Sequence, residues 1–333
     1  MKTKKYLAIF ALLLVLAGGI GTFSHFKNKF MSAPPNQLTM TDIGDPFAFI
    51  WIGQEINGEY EPHVAMLVPV TIPEVDQTFY MQFDMGAPAT VLDYNPIKSI
   101  NERYGAIFQL ENDGERVVAK DVALRVGSVG VNATQLSFRA MGSAIDWSKP
   151  SSVVKIGTVG ADFMERHVLS IDFPNEQITL GDASVSAELR ADAFAPLTFD
   201  GRKVFLSATL NDEPVSLWFD SGSSAFELIV EERIFERFAI PGARRRTYIS
   251  NSWGSDITVH NVDANGEFKF GDTSVPLTYV TCMEWPNKLQ VWVMKLTNLG
   301  GDLGGMTGNM LFLNTTLVLD APNLRYAVIP HAQ

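Results

Sequence analysis

The sequence predicts an all-β protein with an internal duplication, built as two lobes behind an N-terminal export segment. Three observations support this prediction: short β-rich stretches separated by turn signals, two motifs that recur in the same order, and an apolar N-terminal run flanked by lysines. The chain has 333 residues, which at about 100–200 residues per domain corresponds to two domains or one large one. Its composition, 46% hydrophobic and 19% charged, is that of a globular protein.

A signal or membrane-anchor segment is predicted for residues 1–30. Lys2, Lys4 and Lys5 precede an apolar run over residues 6–23, and a positive stretch before such a run directs export. The run is near the lower limit of length for crossing a bilayer, and we favour an uncleaved anchor over a cleaved signal. We therefore expect the body outside the cytoplasm, in the periplasm or extracellular space, and secreted if the signal is cleaved.

The rest of the chain has the pattern of many short strands. The strand candidates are rich in β-branched and aromatic residues: Val64–Ile72, Thr78–Phe83, Val117–Val126, Gln135–Ala140 and Lys203–Leu210. Turn signals lie at residues 112–114, 127–130, 211–212, 265–266 and 271–272. The best helical candidates are Pro96–Tyr104 and Glu231–Phe238. Short strands with turns at about every 8–12 residues are typical of an all-β sandwich or barrel.

Two motifs occur twice, in the same order. Phe83–Ala87 (FDMGA) recurs as Phe219–Ser223 (FDSGS). Downstream, Gly157–Asn175 aligns without gaps with Gly305–Asn323 through shared Gly, Leu, Asp and Pro-Asn positions. Such self-similarity indicates two homologous lobes. The predicted domains are an N-terminal lobe over residues 45–181, a linker over 182–196 and a C-terminal lobe over 197–330.

Each copy of the first motif places an aspartate, Asp84 or Asp220, at the end of an apolar strand. Gly86 and Gly222 follow two positions later and permit a tight turn with close backbone approach. If a pseudo-two-fold axis relates the lobes, the two carboxyl groups face each other and share one proton, because like charges at about 3 Å cannot both ionise. The ionised member can take a proton from water while the protonated member polarises a carbonyl, which is acid–base catalysis of amide hydrolysis.

These motifs resemble those of the aspartic peptidases. Residues 218–224 (WFDSGSS) match the family's apolar-apolar-Asp-[Thr/Ser]-Gly pattern. Residues 304–313, followed by 316–320, resemble the C-terminal signature of the two-lobed pepsin-like enzymes. Residues 158–163 (TVGADF) are closer to the retroviral apolar-Gly-x-Asp pattern.

The resemblance implies a two-lobed, pepsin-like acid-protease β-barrel fold and an aspartic endopeptidase that cleaves extended polypeptides. It assigns catalysis to Asp84 and Asp220. It assigns support of the two loops to Gly86, Ser221, Gly222 and Ser223. It implies no metal ion and no cofactor, and we expect a monomer that is attached to the membrane only through its N-terminal segment.

The first motif departs from the family pattern at Met85. In the family, a Thr or Ser at this position hydrogen-bonds across the lobe interface and braces the two loops. Met85 cannot donate such a bond, and we expect Ser221, if buried, to lose its partner across the interface. The hairpin that would cover the cleft, residues 108–119, also lacks the tyrosine of pepsin-like enzymes.

Composition and the spacing of cysteines and histidines argue against nucleic-acid partners, a disulfide framework and a zinc site. The net charge of −11 argues against nucleic acid as a partner, because phosphate binding needs clustered Lys and Arg. The single cysteine, Cys282, excludes a disulfide framework and is expected to be a buried thiol. The five histidines show no His-x-x-x-His spacing, so no zinc site is predicted. Asp172 and Asp320, each before a Pro-Asn pair, are expected to cap turns.

Two alternatives stay open on the sequence alone. A catalytically silent relative could keep the fold and bind extended peptides or cell-envelope partners, having lost the brace at Met85. A duplicated β-sandwich could contain Asp84 and Asp220 merely as residues of tight turns.

Overall fold

The computed structural model describes residue 33 and residues 35–114, 116–149, 152–187, 189–252, 255–284 and 303–331. The predicted targeting segment lies outside the described residues, and export and membrane anchorage stay predictions. Within the described ranges, no helix has the length and apolar character needed to cross a membrane. From Asn36 onward, the described residues belong to one compact unit.

The first half of this unit, residues 36–181, consists of strands and one α-helix. Its elements are β1 Leu38–Thr41, β2 Phe47–Ala48, β3 Ile50–Ile56, β4 Glu59–Thr71, β5 Thr78–Phe83, β6 Val91–Asp93, α1 Tyr94–Tyr104, β7 Gln109–Asp113, β8 Arg116–Val126, β9 Val129–Arg139, β10 Lys155–Val159, β11 Val168–Asp172 and β12 Gln177–Gly181. The strand β5 shows why they form: Phe79, Met81 and Phe83 alternate into the core along it, as the two-residue period of a strand requires.

The second half, residues 182–331, begins with short 3-10 turns over Ala183–Ser186 and Ala191–Ala193. Its further elements are β13 Phe194–Asp200, β14 Lys203–Leu210, β15 Glu213–Phe219, β16 Ile229–Val230, α2 Glu232–Phe238, β17 Arg246–Ser252, β18 Ser255–Phe270, β19 Thr273–Glu284, β20 Leu303–Thr307, β21 Thr315–Asp320 and β22 Arg325–Pro330. The protein is mostly β, which confirms the predicted all-β class.

The strands of the described residues form two sheets. The nine-stranded sheet has the order β1-β9-β6-β10-β5-β4-β8-β7, with β3 paired to β4. The thirteen-stranded sheet has the order β17-β18-β19-β16-β20-β15-β14-β13-β22-β21-β11-β12-β2. The second sheet therefore combines strands from both halves of the chain.

The same order of elements occurs around Asp84 and around Asp220. In each half two antiparallel strands lead to the aspartate, β4–β5 in one case and β14–β15 in the other. A short strand, a helix and three antiparallel strands follow, and then a strand returns parallel to the strand before the aspartate, β10 on β5 and β20 on β15. A final hairpin ends each half, β11–β12 and β21–β22.

The final hairpins of the two halves join across one ladder of hydrogen bonds. The strand β11 pairs antiparallel with β21, with Val168 opposite Asp320, Ser170 opposite Val318 and Asp172 opposite Thr316. Ser170 and Val318 are equivalent positions in the sequence repeat. The pairing of β11 with β21 is therefore symmetric about these two residues.

Buried aromatic rings fix the strands that lead to the two aspartates. Phe83 and Phe219, which directly precede them, are fully buried. Phe83 packs edge-to-face on Phe163, with 6.1 Å between ring centroids, and Phe219 packs in the same way on Phe312 at 5.6 Å. The two aspartates thus start from rigid positions in the core.

The structure corrects one local prediction and confirms others. The two predicted helices exist, although α1 begins at Tyr94 rather than at Pro96. The turn predicted at residues 265–266 is wrong, because Gly266 lies inside β18, where the register with β19 shifts. An added Cβ on Gly266 would lie 3.2 Å from Leu210 Cδ1, so the glycine permits a β-bulge with close packing rather than a chain reversal.

Candidate active site

Backbone N–H groups fix both the main chain and the carboxyl group of Asp84. The Asp84 N–H donates to the carbonyl of Val159 at 3.0 Å, which fastens the loop to the end of β10. The Asp84 Oδ1 accepts from the N–H groups of Gly86 and Ala87, each at 3.0 Å. The tight turn after β5 therefore points two backbone donors at the carboxyl group.

The loop that carries Asp220 is built in the same way. The Asp220 N–H donates to the carbonyl of Thr307 at 2.9 Å. The Asp220 Oδ1 accepts from the Gly222 N–H at 2.9 Å, and Oδ2 accepts from the Ser223 hydroxyl at 2.8 Å. Ser223 thus contacts the carboxylate that it is predicted to support.

The structure brings these two loops together. A Cβ placed on Gly86 would lie 2.2 Å from Asp220 Oδ1, and one placed on Gly222 would lie 2.5 Å from Asp84 Cγ. Each glycine therefore leaves room for the opposite carboxyl group, which any side chain would displace. The two carboxyl groups lie close enough together for Asp220 to raise the pKa of Asp84.

Burial and proximity raise the pKa of Asp84. Its residue surface is 6% exposed. Burial raises its pKa well above the ordinary 3.8, and the negative charge of Asp220 raises it further. The donors at Ala87 and Gly86 oppose this effect with smaller contributions. The pair therefore keeps a proton at pH values at which an isolated aspartate has lost it.

The hydrogen bonds around the two carboxyl groups differ at one position of the repeat. Asp220 receives a hydroxyl donor from Ser223, whereas Ala87, the equivalent residue in the first half, offers Asp84 only its backbone N–H. A hydroxyl donor stabilises an ionised carboxylate. The two carboxyl groups therefore have unequal hydrogen-bonding environments.

Ser221 keeps its partners across the loops, contrary to expectation. It is fully buried, and so is Met85. The Ser221 hydroxyl accepts from the Met85 N–H at 2.8 Å and donates to the Phe83 carbonyl at 2.9 Å. The expected loss was wrong because both partners of Ser221 are backbone groups, which the Met85 side chain does not alter.

Two further pairs of buried polar residues brace the loops and were not predicted as site residues. Asp162 accepts from the Thr90 N–H and hydroxyl, both at 2.8 Å. In the second half, Asn309 Nδ2 donates to the Ser224 hydroxyl at 2.9 Å and to the Ser221 carbonyl at 3.2 Å. The signal that could have found them is a polar residue shortly after the glycine that follows the returning strand in each half: Asp162 lies two positions after Gly160, and Asn309 directly follows Gly308.

The predicted hairpin over residues 108–119 exists as β7 and β8. Phe108 at its start is 3% exposed and exchanges two hydrogen bonds with Asn101, so its ring belongs to the core. All residues of β7 are exposed.

The remaining predicted residues have structural contacts. Asp172 and Asp320 accept from the N–H groups of Asn175 and Asn323, which confirms the predicted turn caps. Cys282 is a buried free thiol, as expected. Within the described ranges, no group of three or more His, Cys, Asp or Glu side chains could hold a metal ion.

Two comparisons with known proteins give no match. No protein-family model matches the chain. No curated protein is significantly similar to it.

Proposed function

We propose that this chain is an aspartic endopeptidase with a two-lobed, pepsin-like fold, exported and anchored in the membrane by its N-terminal segment. The observation that carries the proposal is the reciprocal placement of the two loops, with Gly86 against Asp220 and Gly222 against Asp84. A pair of tight turns with no catalytic role would not need two carboxyl groups in direct contact, one of them buried, since such contact costs free energy of folding.

The first chemical step uses the unequal environments of the two carboxyl groups. A water molecule bound between them loses a proton to Asp220, and its oxygen attacks the carbonyl carbon of the scissile peptide bond. Asp84 donates its proton to the carbonyl oxygen, so the tetrahedral intermediate forms as a neutral diol. The raised pKa of Asp84 keeps that proton available.

The second step breaks the C–N bond. Asp220 transfers the proton it took from water to the leaving nitrogen, which departs as an amine. One hydroxyl of the diol returns its proton to Asp84, and the carbonyl of the new carboxylic acid forms. The pair ends in its starting state, and one water has been consumed for each bond cleaved.

An exposed sheet edge supports the choice of substrate class. The exposed strand β7, at the end of the nine-stranded sheet, provides backbone donors and acceptors with which an extended polypeptide could pair. We therefore propose polypeptides in extended conformation as substrates, and no cofactor.

The test is hydrolysis of a mixed peptide library by residues 31–333 between pH 3 and 7. Cleavage should be lost in Asp84→Asn and in Asp220→Asn and blocked by a statine-type transition-state analogue. Asp212→Asn, at an exposed turn position that pairs with Lys269, is the matched control and should cleave normally. Absence of cleavage by the folded wild type at every pH would contradict the proposal.

Met85 favours one alternative function. Because Met85 is buried and has no hydroxyl, its side chain offers the opposite loop no counterpart of the bonds that the Ser221 hydroxyl makes. A chain of this kind could bind extended peptides or cell-envelope partners without cleaving them. Binding of library peptides that is unchanged by Asp84→Asn, without cleavage, would support this alternative.

A further inference from the structure

A cavity of about 300 Å³ lies away from the two aspartates, between the start of β8, the end of β9 and the start of α1. Neither Asp84 nor Asp220 lines it. Its volume is at the lower end for small-molecule sites and corresponds to a ligand of one or two amino acid residues.

One wall of the cavity is aromatic and apolar. Tyr94 and Phe138 pack edge-to-face, with 5.6 Å between ring centroids and 87° between ring planes. Val117 beside them is 38% exposed although it is apolar. This wall offers apolar surface that a ligand could remove from water.

Two guanidinium groups, those of Arg116 and Arg139, complete the lining. The Arg139 side chain is 15% exposed, donates to the Thr158 hydroxyl and lies 3.5 Å from the buried carboxylate of Asp93. Lys155 lies 3.1 Å from the same carboxylate.

Arg116 adds a further positive charge. Asp113 lies opposite Arg116 in the register of the β7–β8 hairpin. Among the described residues, however, neither Asp113 nor any other acidic side chain forms an ion pair with Arg116. Arg116 thus gives the lining of the cavity a positive charge, in a chain with a net charge of −11.

We propose that this cavity binds a small organic carboxylate with an aromatic or aliphatic body, of the chemical type of a peptide's C-terminal residue. The carboxylate pairs with Arg116, since a guanidinium matches the two oxygens of a carboxylate. The apolar body packs against Tyr94, Phe138 and Val117. This binding is independent of the peptidase proposal, because the cavity contains neither aspartate.

The test uses N-acetyl-L-phenylalanine as the probe and N-acetyl-L-phenylalaninamide as its uncharged control. Ligand-observed NMR measures the binding of each compound to the full chain. The carboxylate should bind and the amide should bind at least tenfold more weakly. Inorganic phosphate, which lacks the apolar body, should compete only at much higher concentration. Equal binding of the amide, or competition by phosphate at the concentration of the probe, would overturn the proposal.

Two variants locate the site. Arg116→Gln should weaken binding of the probe about tenfold or more, and Val117→Asp, at an exposed position, should abolish it by placing a negative charge in the cavity. Arg125→Gln is the matched control: it lies at the other end of β8 and pairs with Asp42, and it should bind as the wild type does. Melting temperatures establish that each variant is folded. Unchanged binding in both cavity variants would contradict the assignment.

Discussion

Asp84 and Asp220 occupy loops of one shape, yet they accept hydrogen bonds from different donors. Asp220 accepts from a hydroxyl, whereas Asp84 is buried and accepts only from backbone N–H groups. The raised pKa of Asp84 has a consequence for stability. Between the pKa values of the unfolded and folded states the folded chain holds a proton that the unfolded chain lacks, so stability falls as pH rises through that interval.

Replacing the buried carboxyl group should therefore stabilise the protein at neutral pH. Asp84→Asn keeps a donor toward Asp220 and has no charge to bury, so its melting temperature at pH 7 should exceed that of the wild type by a few degrees. The difference should shrink toward pH 4, where Asp84 of the wild type is protonated. Thermal unfolding at several pH values checks this, and a difference that stays constant with pH would contradict it.

A hydroxyl added beside Asp84 should have a related effect on activity. Ala87→Ser copies the Ser223 contact of Asp220, favours the ionised carboxylate and lowers the pKa of Asp84. The pair then loses its shared proton at a lower pH, so the alkaline limb of the pH–rate profile should move to lower pH. Ala87→Gly, which adds no donor, should leave that limb in place.

The brace at Met85 can be tested with a pair of variants of equal shape. Met85→Thr adds a hydroxyl at the position equivalent to Ser221, and Met85→Val has the same size without it. If a second brace improves the placement of the carboxyl groups, the Thr variant should hydrolyse peptides about tenfold faster than the Val variant. Equal rates would show that Ser221 alone fixes the loops.

At the scale of loops and strands, the two glycines set how closely the carboxyl groups approach. A methyl group on Gly86 would lie 2.2 Å from Asp220 Oδ1, so Gly86→Ala should push the loops apart and lower the rate by about 10²-fold or more. Gly222→Ala should do the same. Gly58→Ala is the control: Gly58 has φ +82° with nothing near its Cβ, so this variant should lose some stability and keep its activity.

Short sequence patterns predicted the strands and turns around the site. They did not predict the contacts between residues that are far apart in the sequence. The Asp-x-Gly motifs located both loops because a strand followed by a tight turn is encoded within a few residues. The partners of Ser221 were missed because they are backbone groups of a distant loop, which no side-chain pattern reveals. The Asn-Gly pair at 265–266 misled because such a pair fits a bulge as well as a turn, and the pairing of β18 with β19 decides between them.

At the scale of the whole molecule, the sheet that combines both halves makes them mutually dependent. The strand β21 occupies one side of β11, and β22 pairs with both β21 and β13. Neither half buries all its strand edges without the other. The halves that carry Asp84 and Asp220 are thus joined through this sheet as well as through the contacts of Ser221 with Met85 and Phe83.

The symmetry of the β11–β21 ladder also defines what half of the chain would do alone. A fragment of residues 36–187 would leave an open edge on β11, and a second copy of β11 could pair there about Ser170 as β21 now does. Asp172 of the second copy would stand where Asp320 stands, opposite Val168. We expect this fragment to sediment as a two-fold homodimer, and the fragment with Ser170→Pro to lose that association. A folded, monomeric fragment would contradict this. A homodimer would show that the single chain has the architecture of two linked copies of one fold. The first half alone would then form the two-fold axis that the two halves now form together.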